Sequence, residues 1–469
     1  MKFVGRTAEL HHLNALYTAE DAKLIVLYGR RRIGKSRLIE QFIQGKKYLR
    51  FEGLENMRTK AQLAQFTEDL GAQLNDPVLK HTTFTSWTPI LDYLTRFFTQ
   101  NTEKYVVFLD EFQWLAANQR QLVSLLKKYW DLYWSKQQVM LILCGSVSSY
   151  MVRRVISSKA LYGRIHWELC LQPLTPQETC QLLHNKRSPD EVLKYACILG
   201  GIPKYLNEID PQKSFSQNMN NLFFKQTSIL AHDYGRIFYS QFKEYKTYEN
   251  IVLFLKDHPK SLEEISQHLK IISGGGVKSY LENLEKALFI TSYIPYNKGE
   301  TSKLKKYKLT DEYLRFYFKY VAPHLKLINT NYTRDLFSQL VEPLWDAWFG
   351  FAFENFCMKN ALFLAERMGF GDRVIQWGPY FHRGDTDFQI DLIYVRNDHV
   401  ITVCEIKYHL HPISISIVHE VERKCNLLSP PPGYTLEKAL ISRFGPDDAL
   451  RQLNYFHHTL QGSDFFSEN

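Results

Sequence analysis

The chain is poor in cysteine and has no long apolar run. Its seven cysteines are scattered over 469 residues without C-x-x-C spacing, and several lie inside apolar segments. Because disulfide-built domains and zinc sites need paired or clustered cysteines, this distribution favours free thiols in a reducing cytosol. No segment approaches the roughly 18 apolar residues of a membrane-spanning helix, and the N-terminus lacks the apolar core of a signal peptide. We therefore expect a cytoplasmic protein with no membrane partner.

The composition is that of a globular protein with several domains. Hydrophobic residues make up 45% of the chain, enough to form sizeable cores. The formal net charge is +9. A positive charge of this size is compatible with a polyanionic partner, and equally with charge that only keeps the protein soluble. Net charge alone leaves both alternatives open.

The segment GRRRIGKS has the spacing G-x-x-x-x-G-K-[ST] of a phosphate-binding P-loop. Glycines let backbone N–H groups surround phosphate oxygens, the lysine reaches the outer phosphates, and the serine hydroxyl binds Mg²⁺. The apolar run KLIVLY before it predicts a strand, and a helix should begin at the loop. A basic surface turn is the alternative. We expect the nucleotide to be bound by Gly29, Arg32, Gly34, Lys35 and Ser36.

Two further apolar strands end in polar residues that suit the same chemistry. The run YVVFL is followed by Asp110 and Glu111. We expect Asp110 to bind Mg²⁺ through water and Glu111 to polarise the attacking water. The run VMLILCG ends in Ser146, which is expected to sense the γ-phosphate. The alternatives are an ordinary acidic turn for the carboxylates and a strand cap for Ser146.

Arg164, in the segment LYGR, is a candidate for contact with a nucleotide phosphate. The contact would be made within the chain or across a subunit interface, and the second case requires a homo-oligomer. A surface arginine without a role in the reaction is the alternative.

These motifs carry a resemblance to a known family. FVGRTAEL, GRRRIGKS, LDEFQWL, CGSVSSYM, LYGR and GGIPKYL occur in the order seen in archaeal-type P-loop ATPases, relatives of the AAA+ and STAND switch ATPases. The arginine triplet and GGIPKYL are distinctive of that family. The resemblance implies an ATP-binding core followed by a small helical lid, and it places Phe3 to Arg6 near the adenine.

The middle of the chain is typical of a winged helix. Two amphipathic helices flank Pro259, a third follows a glycine triplet, and a strand and a basic hairpin come next. Ser261 and Glu264 fit a capping box. Direct DNA binding and a purely regulatory, protein-contacting role both remain open. The residues that would face DNA are Lys278, Ser279 and Glu282 on the third helix and Lys298, Lys303, Lys305, Lys306 and Lys308 on the wing.

Three strand patterns in series mark the last module, with a helix before them and another after them. Asp391 lies on the middle strand, and Glu405 and Lys407 share one face of the next. Cross-strand pairing is expected to bring Asp391 beside Glu405 and Lys407. The carboxylates would bind Mg²⁺ or Mn²⁺, with Glu354 from the preceding helix as a further ligand, and Lys407 would orient or deprotonate water.

The arrangement resembles the PD-(D/E)XK phosphodiesterase fold, although Gln389 and Ile390 stand where that motif has its proline. Two other E-x-K triplets, Glu244–Lys246 and Glu422–Lys424, do not end an apolar strand beside an Asp-bearing strand. A domain of this kind commonly follows the archaeal-type ATPase module. The alternative is a fold relic that no longer cleaves.

We therefore expect an α/β protein that combines a P-loop NTPase core, a helical lid, a winged helix and a restriction-endonuclease-like domain. The expected function is an ATP-dependent switch coupled to cleavage of DNA or RNA. One rival is a regulatory ATPase that only binds nucleic acid or a protein partner, and another is a transcriptional regulator. The expected boundaries are 1–172 for the core, 173–240 for the lid, 241–321 for the winged helix, 322–344 for a linker and 345–469 for the nuclease-like domain.

Overall fold

The fold is taken from a computed structural model that forms two compact units. The first unit contains Met1–Pro173 and Tyr239–Tyr245, and the second contains Leu174–Phe238 and Lys246–Asn469. None of the described helices is long and apolar enough to cross a lipid bilayer. The structure describes residues 3–80, 82–116, 121–147, 151–156, 158–183, 187–242, 244–271, 275–294, 305–330, 335–382, 388–428 and 430–466.

The first unit is built on a five-stranded parallel sheet with strand order β2-β3-β4-β1-β5. Seven helices, α1 to α7, accompany it in this unit. The strands β1 to β5 span Lys23–Gly29, Lys47–Glu52, Tyr105–Asp110, Val139–Ser146 and Trp167–Cys170. The helices span Thr7–Thr18, Lys35–Phe42, Thr59–Leu74, Pro77–Lys80, Trp87–Gln100, Phe112–Ala116 and Leu122–Leu132.

The sequence explains the central position of β1, β3 and β4. These three strands are almost continuously apolar and nearly every residue in them is buried, as expected for parallel strands covered on both faces. Because all five strands run in one direction, their carboxyl ends share one edge of the sheet. Gly29, Asp110 and Ser146 end three neighbouring strands at that edge.

The second unit begins with a helical segment. Ser and Thr residues cap several of its helices, and Thr175 and Ser214 form capping boxes with Glu178 and Gln217. The helices α8 to α12 span Pro176–Leu182, Pro189–Leu199, Pro203–Leu206, Phe215–Phe223 and Tyr234–Gln241.

Three helices and a small antiparallel sheet follow, as the winged-helix pattern predicts. The sheet has strand order β6-β8-β7, and the predicted capping box between Ser261 and Glu264 is confirmed. Lys298 and Lys303 lie outside the described residues. The helices α13 to α15 span Tyr245–Leu255, Leu262–Leu269 and Gly275–Lys286, and β6 to β8 span Lys260–Ser261, Ile290–Tyr293 and Lys306–Leu309.

The segment expected to be a linker, 322–344, differs from that expectation. Most of its described part is helical, and Leu336 and Phe337 are buried, with both backbone N–H groups donating to the side chain of Asn220. Such burial fixes the segment against the helix that carries Asn220. The helices α16 to α20 span Glu312–Phe316, Leu325–Asn329, Leu336–Leu340, Trp345–Lys359 and Ala361–Arg367.

A mixed five-stranded sheet closes the chain, with strand order β13-β12-β11-β10-β9. Strand β10 is antiparallel to β9 and β11, whereas β12 and β13 continue parallel to β11. The strands β9 to β13 span Val374–His382, Phe388–Arg396, Val400–Lys407, Thr435–Ser442 and His458–Gln461, and the helices α21 and α22 span Ile417–Leu427 and Asp448–Gln452.

Within the second unit, α9 packs directly on the terminal sheet domain. Leu193 and Cys197 of α9 share a buried core with Phe353 of α19. Arg443 adds an ion pair to Asp190 at the start of α9. The segment expected as a lid is therefore packed, through α9, into the same unit as the last module.

Candidate functional site

The P-loop joins β1 to α2, and its backbone adopts the conformation that anion binding requires. Three residues of the loop have positive φ: Gly29 at 155°, Arg32 at 72° and Gly34 at 94°. Gly34 is the N-cap of α2, so this left-handed conformation directs the first N–H groups of the helix toward the loop. The arginine at 32 adopts the left-handed conformation although it is not glycine.

Lys35 is buried at the start of α2 and turns back over the loop. Its ammonium group donates to the carbonyl oxygens of Gly29 at 3.1 Å and Arg30 at 3.0 Å. Both acceptors are neutral and belong to the loop itself. Phosphate oxygens are stronger acceptors for an ammonium group, so Lys35 is held where a nucleotide can replace its present partners.

Asp110, at the end of β3, is buried beside the end of β2. Arg50 of β2 lies 3.5 Å from its carboxylate and pairs with Glu40 at 2.8 Å. Burial and the charge of Asp110 raise the pKa of Glu52, which is the register partner of Asp110. This edge of the sheet thus concentrates carboxylates, as a magnesium-binding edge requires.

Glu111 is held by a neighbouring amide. Its φ of 45° is positive, and its carboxylate accepts a hydrogen bond from the side chain of Gln113. The same amide nitrogen of Gln113 lies 3.3 Å from the Ser146 hydroxyl. A Cβ on Gly145 would stand 2.3 Å from Oε1 of Gln113, so a larger residue there would displace the Gln113 side chain. Gln113 therefore links the two expected ATPase residues Glu111 and Ser146.

The N-terminal segment lies against the P-loop. Arg6, also with positive φ, donates to the backbone carbonyl of Ile33 at 3.3 Å and to that of Gln172 at 2.6 Å. The segment that the family resemblance associates with the adenine therefore contacts the loop directly.

Arg164 is held by an ion pair at the edge of the sheet where β1 begins. Its guanidinium forms a bidentate pair with Asp131 at 2.6 and 2.8 Å, which raises its pKa and lowers that of Asp131 to about 2. His166, two residues later, pairs with Leu24 at the beginning of β1. The P-loop follows the other end of β1, about 17 Å away at about 3.3 Å per residue. Arg164 therefore lies near the end of β1 opposite the P-loop, and its contact with a phosphate, within the chain or across a subunit interface, stays a prediction.

The terminal sheet brings Asp391 to Glu405, as the sequence predicts. The register pairs Leu392 with Cys404, so the next positions along the two strands are Asp391 and Glu405. The Asp391 carboxylate accepts the backbone N–H of Ile406 at 3.2 Å. The register of β10 with β9 shifts between Ile390 and Ile393, and such bulges redirect side chains next to functional sites.

Glu405 is buried between two lysines. Lys407 contacts its carboxylate at 2.7 Å, and Lys424 of α21 contacts both oxygens at 2.9 and 2.7 Å. Lys424 also contacts Glu420 at 3.0 Å. Burial is the largest single influence on both lysines and lowers their pKa, but the charge and hydrogen bond of Glu405, together with Glu420 and Asp391, outweigh it and raise the pKa of both. The negative charge of Glu405 is therefore already compensated.

Glu354 and Asp391 are less well compensated. Burial, reinforced by Asp391, raises the pKa of Glu354 to about 7. Burial, reinforced by Glu405, raises the pKa of Asp391 to about 6. The influence on Glu354 indicates that α19 and β10 bring these two carboxylates near one another, as the sequence predicts.

The donor set accommodates a divalent cation in part. Glu354 and Asp391 are oxygen donors whose mutual repulsion a cation would relieve, and this fits Mg²⁺ or Mn²⁺. Glu405 could bind a metal only by giving up its contact with Lys407 or Lys424. In the described part of the chain, no three His, Cys, Asp or Glu side chains form a ready metal cluster.

Several residues of these sites were not predicted from the sequence. Lys424 belongs to an E-x-K triplet that the sequence analysis set aside because it does not end an apolar strand beside an Asp-bearing strand, yet it contacts Glu405. The i,i+4 spacing of Glu420 and Lys424 was the available signal. Gln113 and Arg50 gave no signal, because their roles depend on contacts between elements that are distant in the sequence.

The parallel sheet, the P-loop and the carboxylates at its edge define a P-loop ATPase. Residues 3–209 match the family of ATPase domains found predominantly in Archaea. Residues 317–419 match a family of archaeal and bacterial proteins of unknown function. That second match contains Glu354, Asp391, Glu405 and Lys407 and ends before Lys424.

Two relatives come from Methanocaldococcus jannaschii. An uncharacterized protein is 26% identical over 412 residues, which cover 87% of each chain. An uncharacterized ATP-binding protein is 48% identical over 48 residues, 10% of this chain and 81% of the relative. Among solved structures, the Walker-type ATPase of Pyrococcus abyssi is 16% identical, with a TM-score of 0.48, over 67% of this chain and 95% of that one.

Proposed function

We propose that this protein is an ATP-hydrolysing switch whose terminal acidic site cleaves phosphodiester bonds in nucleic acid. The observation that carries the proposal is the presence of two residue sets in one chain. Lys35, Asp110 and Glu111 form one set, and Asp391 with Glu405 and Lys407 forms the other.

In the ATPase half, the backbone of the P-loop and Lys35 bind the phosphates. Lys35 leaves the carbonyl groups of Gly29 and Arg30 for phosphate oxygens, and Glu111 polarises the attacking water. Ser36 and Asp110 supply the hydroxyl and carboxylate oxygens that suit Mg²⁺, which when bound neutralises charge on the phosphates. Ser146 senses the γ-phosphate.

In the terminal site, Lys407 orients the water or offsets charge on the phosphate under attack. Glu354, Asp391 and Glu405 would hold Mg²⁺ or Mn²⁺, which when bound activates water and stabilises the developing charge. The position of Lys407, 2.7 Å from Glu405 on the same strand face, supports this assignment. Hydrolysis of ATP would change the exposure or alignment of this site.

The decisive experiment combines two variants of the full chain. We expect the wild type to cleave DNA or RNA with Mg²⁺ or Mn²⁺ and ATP. Glu405→Ala should abolish cleavage but keep ATP hydrolysis, and Lys35→Ala should weaken ATP binding and change cleavage. Glu244→Ala, in an E-x-K triplet that does not end an apolar strand, is the matched control. Absence of cleavage with either metal, with and without ATP, would refute the nuclease half.

One observation favours a second candidate, a regulatory ATPase whose terminal domain only binds nucleic acid or a protein. Glu405 is buried and already paired with Lys407 and Lys424. A site that has exchanged its metal for lysines would bind without cutting. This candidate predicts no metal-dependent cleavage and a binding surface that survives Glu405→Ala.

A further inference from the structure

The chain directly after the last strand of the winged-helix wing lies against the helix that carries Glu354. The Asn355 side chain donates to the backbone carbonyl of Thr310, directly after β8, at 3.0 Å. Lys359 pairs with Glu312 at 2.7 Å, and Arg315 donates to the Phe351 carbonyl at 3.3 Å. These contacts fix the chain after β8 along the same stretch of α19 that presents Glu354.

Lys308 lies on the side of β8 opposite the winged-helix core. Tyr307 and Leu309, its neighbours in the strand, are buried, so alternation places Lys308 on the other face with Thr310. Burial and the nearby Arg315 lower the pKa of Lys308 to about 8, while Glu354 and Asp391 oppose that shift. The charge of Lys308 thus interacts with Glu354 and Asp391, the two less well compensated carboxylates, and the contacts of Thr310 and Asn355 bring its strand to the helix of Glu354.

Lys308 differs from the other lysines near the acidic residues. Lys407 and Lys424 are in contact with Glu405, but Lys308 forms no ion pair with a carboxylate that the structure describes. Glu354 likewise has no hydrogen-bond partner in that part of the chain. Nearby, the buried side-chain oxygens of Thr310 and Asn355 also lack a described partner.

We propose that Lys308 belongs to the terminal acidic site and binds a phosphate group of the nucleic acid beside Glu354 and Asp391. The inference rests on the proposed function of that site and extends the site across two modules. A lysine that merely held the wing closed would be paired with a carboxylate, and Lys308 is not. An ammonium group that is near carboxylates but unpaired is placed to contact a phosphate that those carboxylates would bind through a metal.

The test compares full-length Lys308→Met, which keeps the aliphatic stem, with Lys308→Arg, which keeps the charge. Lys305→Ala probes the outer wing, and Lys256→Ala is a control on a surface pair with Asp257. Binding of a fluorescein-labelled mixed-sequence DNA duplex and of its RNA counterpart is followed by anisotropy in Ca²⁺ over a salt series. Cleavage is followed in Mg²⁺ and Mn²⁺.

We expect Lys308→Met to weaken binding about tenfold, as for loss of one charge-assisted hydrogen bond. The slope of log affinity against log salt should fall by about one, as for one lost phosphate contact. Lys308→Arg should retain most of the affinity, and Lys256→Ala should match the wild type. Thermal unfolding of each variant distinguishes a lost contact from a lost fold, and Lys308→Arg decides the question if Lys308→Met does not fold.

Three outcomes overturn the inference: unchanged binding in Lys308→Met, a loss that follows Lys305→Ala instead, or tighter binding and faster cleavage in Lys308→Met. The last would make Lys308 a counter-ion that keeps the site closed. If the wild type cleaves nothing but its binding depends on Lys308, the nuclease proposal fails and the inference stands. If the wild type binds neither DNA nor RNA, both fail.

Discussion

The phosphate-binding site of the first unit and the acidic site of the second hold their lysines in different ways. Lys35 donates only to neutral carbonyl oxygens of its own loop. Lys424 and Lys407 instead neutralise a carboxylate that is buried beneath them. A carbonyl is exchanged readily for a phosphate oxygen, whereas removing an ammonium group from a buried carboxylate leaves a charge in an apolar environment.

The two sites therefore differ in how easily a lysine can exchange its present partner for a ligand. The P-loop accepts its ligand by trading one set of hydrogen bonds for a stronger one. In the acidic site, a metal could reach Glu405 only if the lysines were displaced, although Glu354 and Asp391 are less compensated. A switch controlled by ATP would need both properties: a P-loop that binds its ligand readily, and an effector site that is inactive until ATP acts on it.

The largest effect is expected at Glu111. Glu111→Gln keeps the shape of the side chain and its neighbour Gln113 but cannot polarise water, so turnover of ATP should fall by about 10²–10⁴-fold. Nucleotide affinity should stay near that of the wild type, because Lys35 is untouched. Steady-state phosphate release and equilibrium binding measure the two quantities, with Glu103→Gln as control. An unchanged turnover would remove Glu111 from the reaction.

The second-largest effect is expected at Lys424, the buried lysine of the acidic site. Lys424→Met leaves Glu405 with Lys407 alone and should destabilise the second unit by up to about 3 kcal/mol, since breaking a buried pair leaves an uncompensated charge. The double variant Glu405→Gln with Lys424→Met removes both charges and should recover much of the loss. Calorimetric unfolding compares them. If the single variant is as stable as the wild type, Glu405 is not restrained by Lys424.

The corresponding variant in the first unit is Lys35→Ala. It should lower the free energy of unfolding less than Lys424→Met does, because the partners of Lys35 are neutral carbonyl oxygens. Its effect should appear in nucleotide binding, with a loss of about 1.5–3 kcal/mol for a charged hydrogen bond. Lys47→Ala, an exposed lysine near Glu103, serves as control. Equal destabilisation by Lys35→Ala and Lys424→Met would contradict the contrast between the two sites.

The ATPase half could be predicted because its information is local. The P-loop residues are contiguous, and the apolar runs before Gly29, Asp110 and Ser146 all become parallel strands. Parallel strands end at one edge, so motif and topology together locate the site. Arg164 could not be located in this way, because the motif that contains it does not indicate at which edge of the sheet the arginine lies.

The acidic site could be predicted only in part. Register and period-two alternation were enough to bring Asp391 beside Glu405. Lys424 and Lys308 come from a following helix and from the preceding module, and no periodicity within those elements identifies the strand or helix that they face. Contacts of this kind arise from tertiary packing, and short-range spacing does not encode them.

The smallest effect should be a pH dependence of stability that belongs to the acidic site. The pKa of Glu354 rises from its ordinary 4.5 to about 7 on folding, so between these values the folded chain holds a proton that the unfolded chain has lost. The free energy of unfolding therefore contains a contribution that is present below about pH 4.5 and is lost as the pH rises through about 7.

Glu354→Gln removes this contribution, so its stability should change less than that of the wild type across the same pH window. A difference of about 1 kcal/mol corresponds to about 2–4 °C in the unfolding temperature of a unit of this size. Glu263→Gln, on the exposed face of α14, should follow the wild type. If the stability of the wild type and of Glu354→Gln changed in parallel with pH, the charge of Glu354 would be compensated as fully as that of Glu405. The contrast between well compensated and less well compensated carboxylates within the acidic site would then disappear.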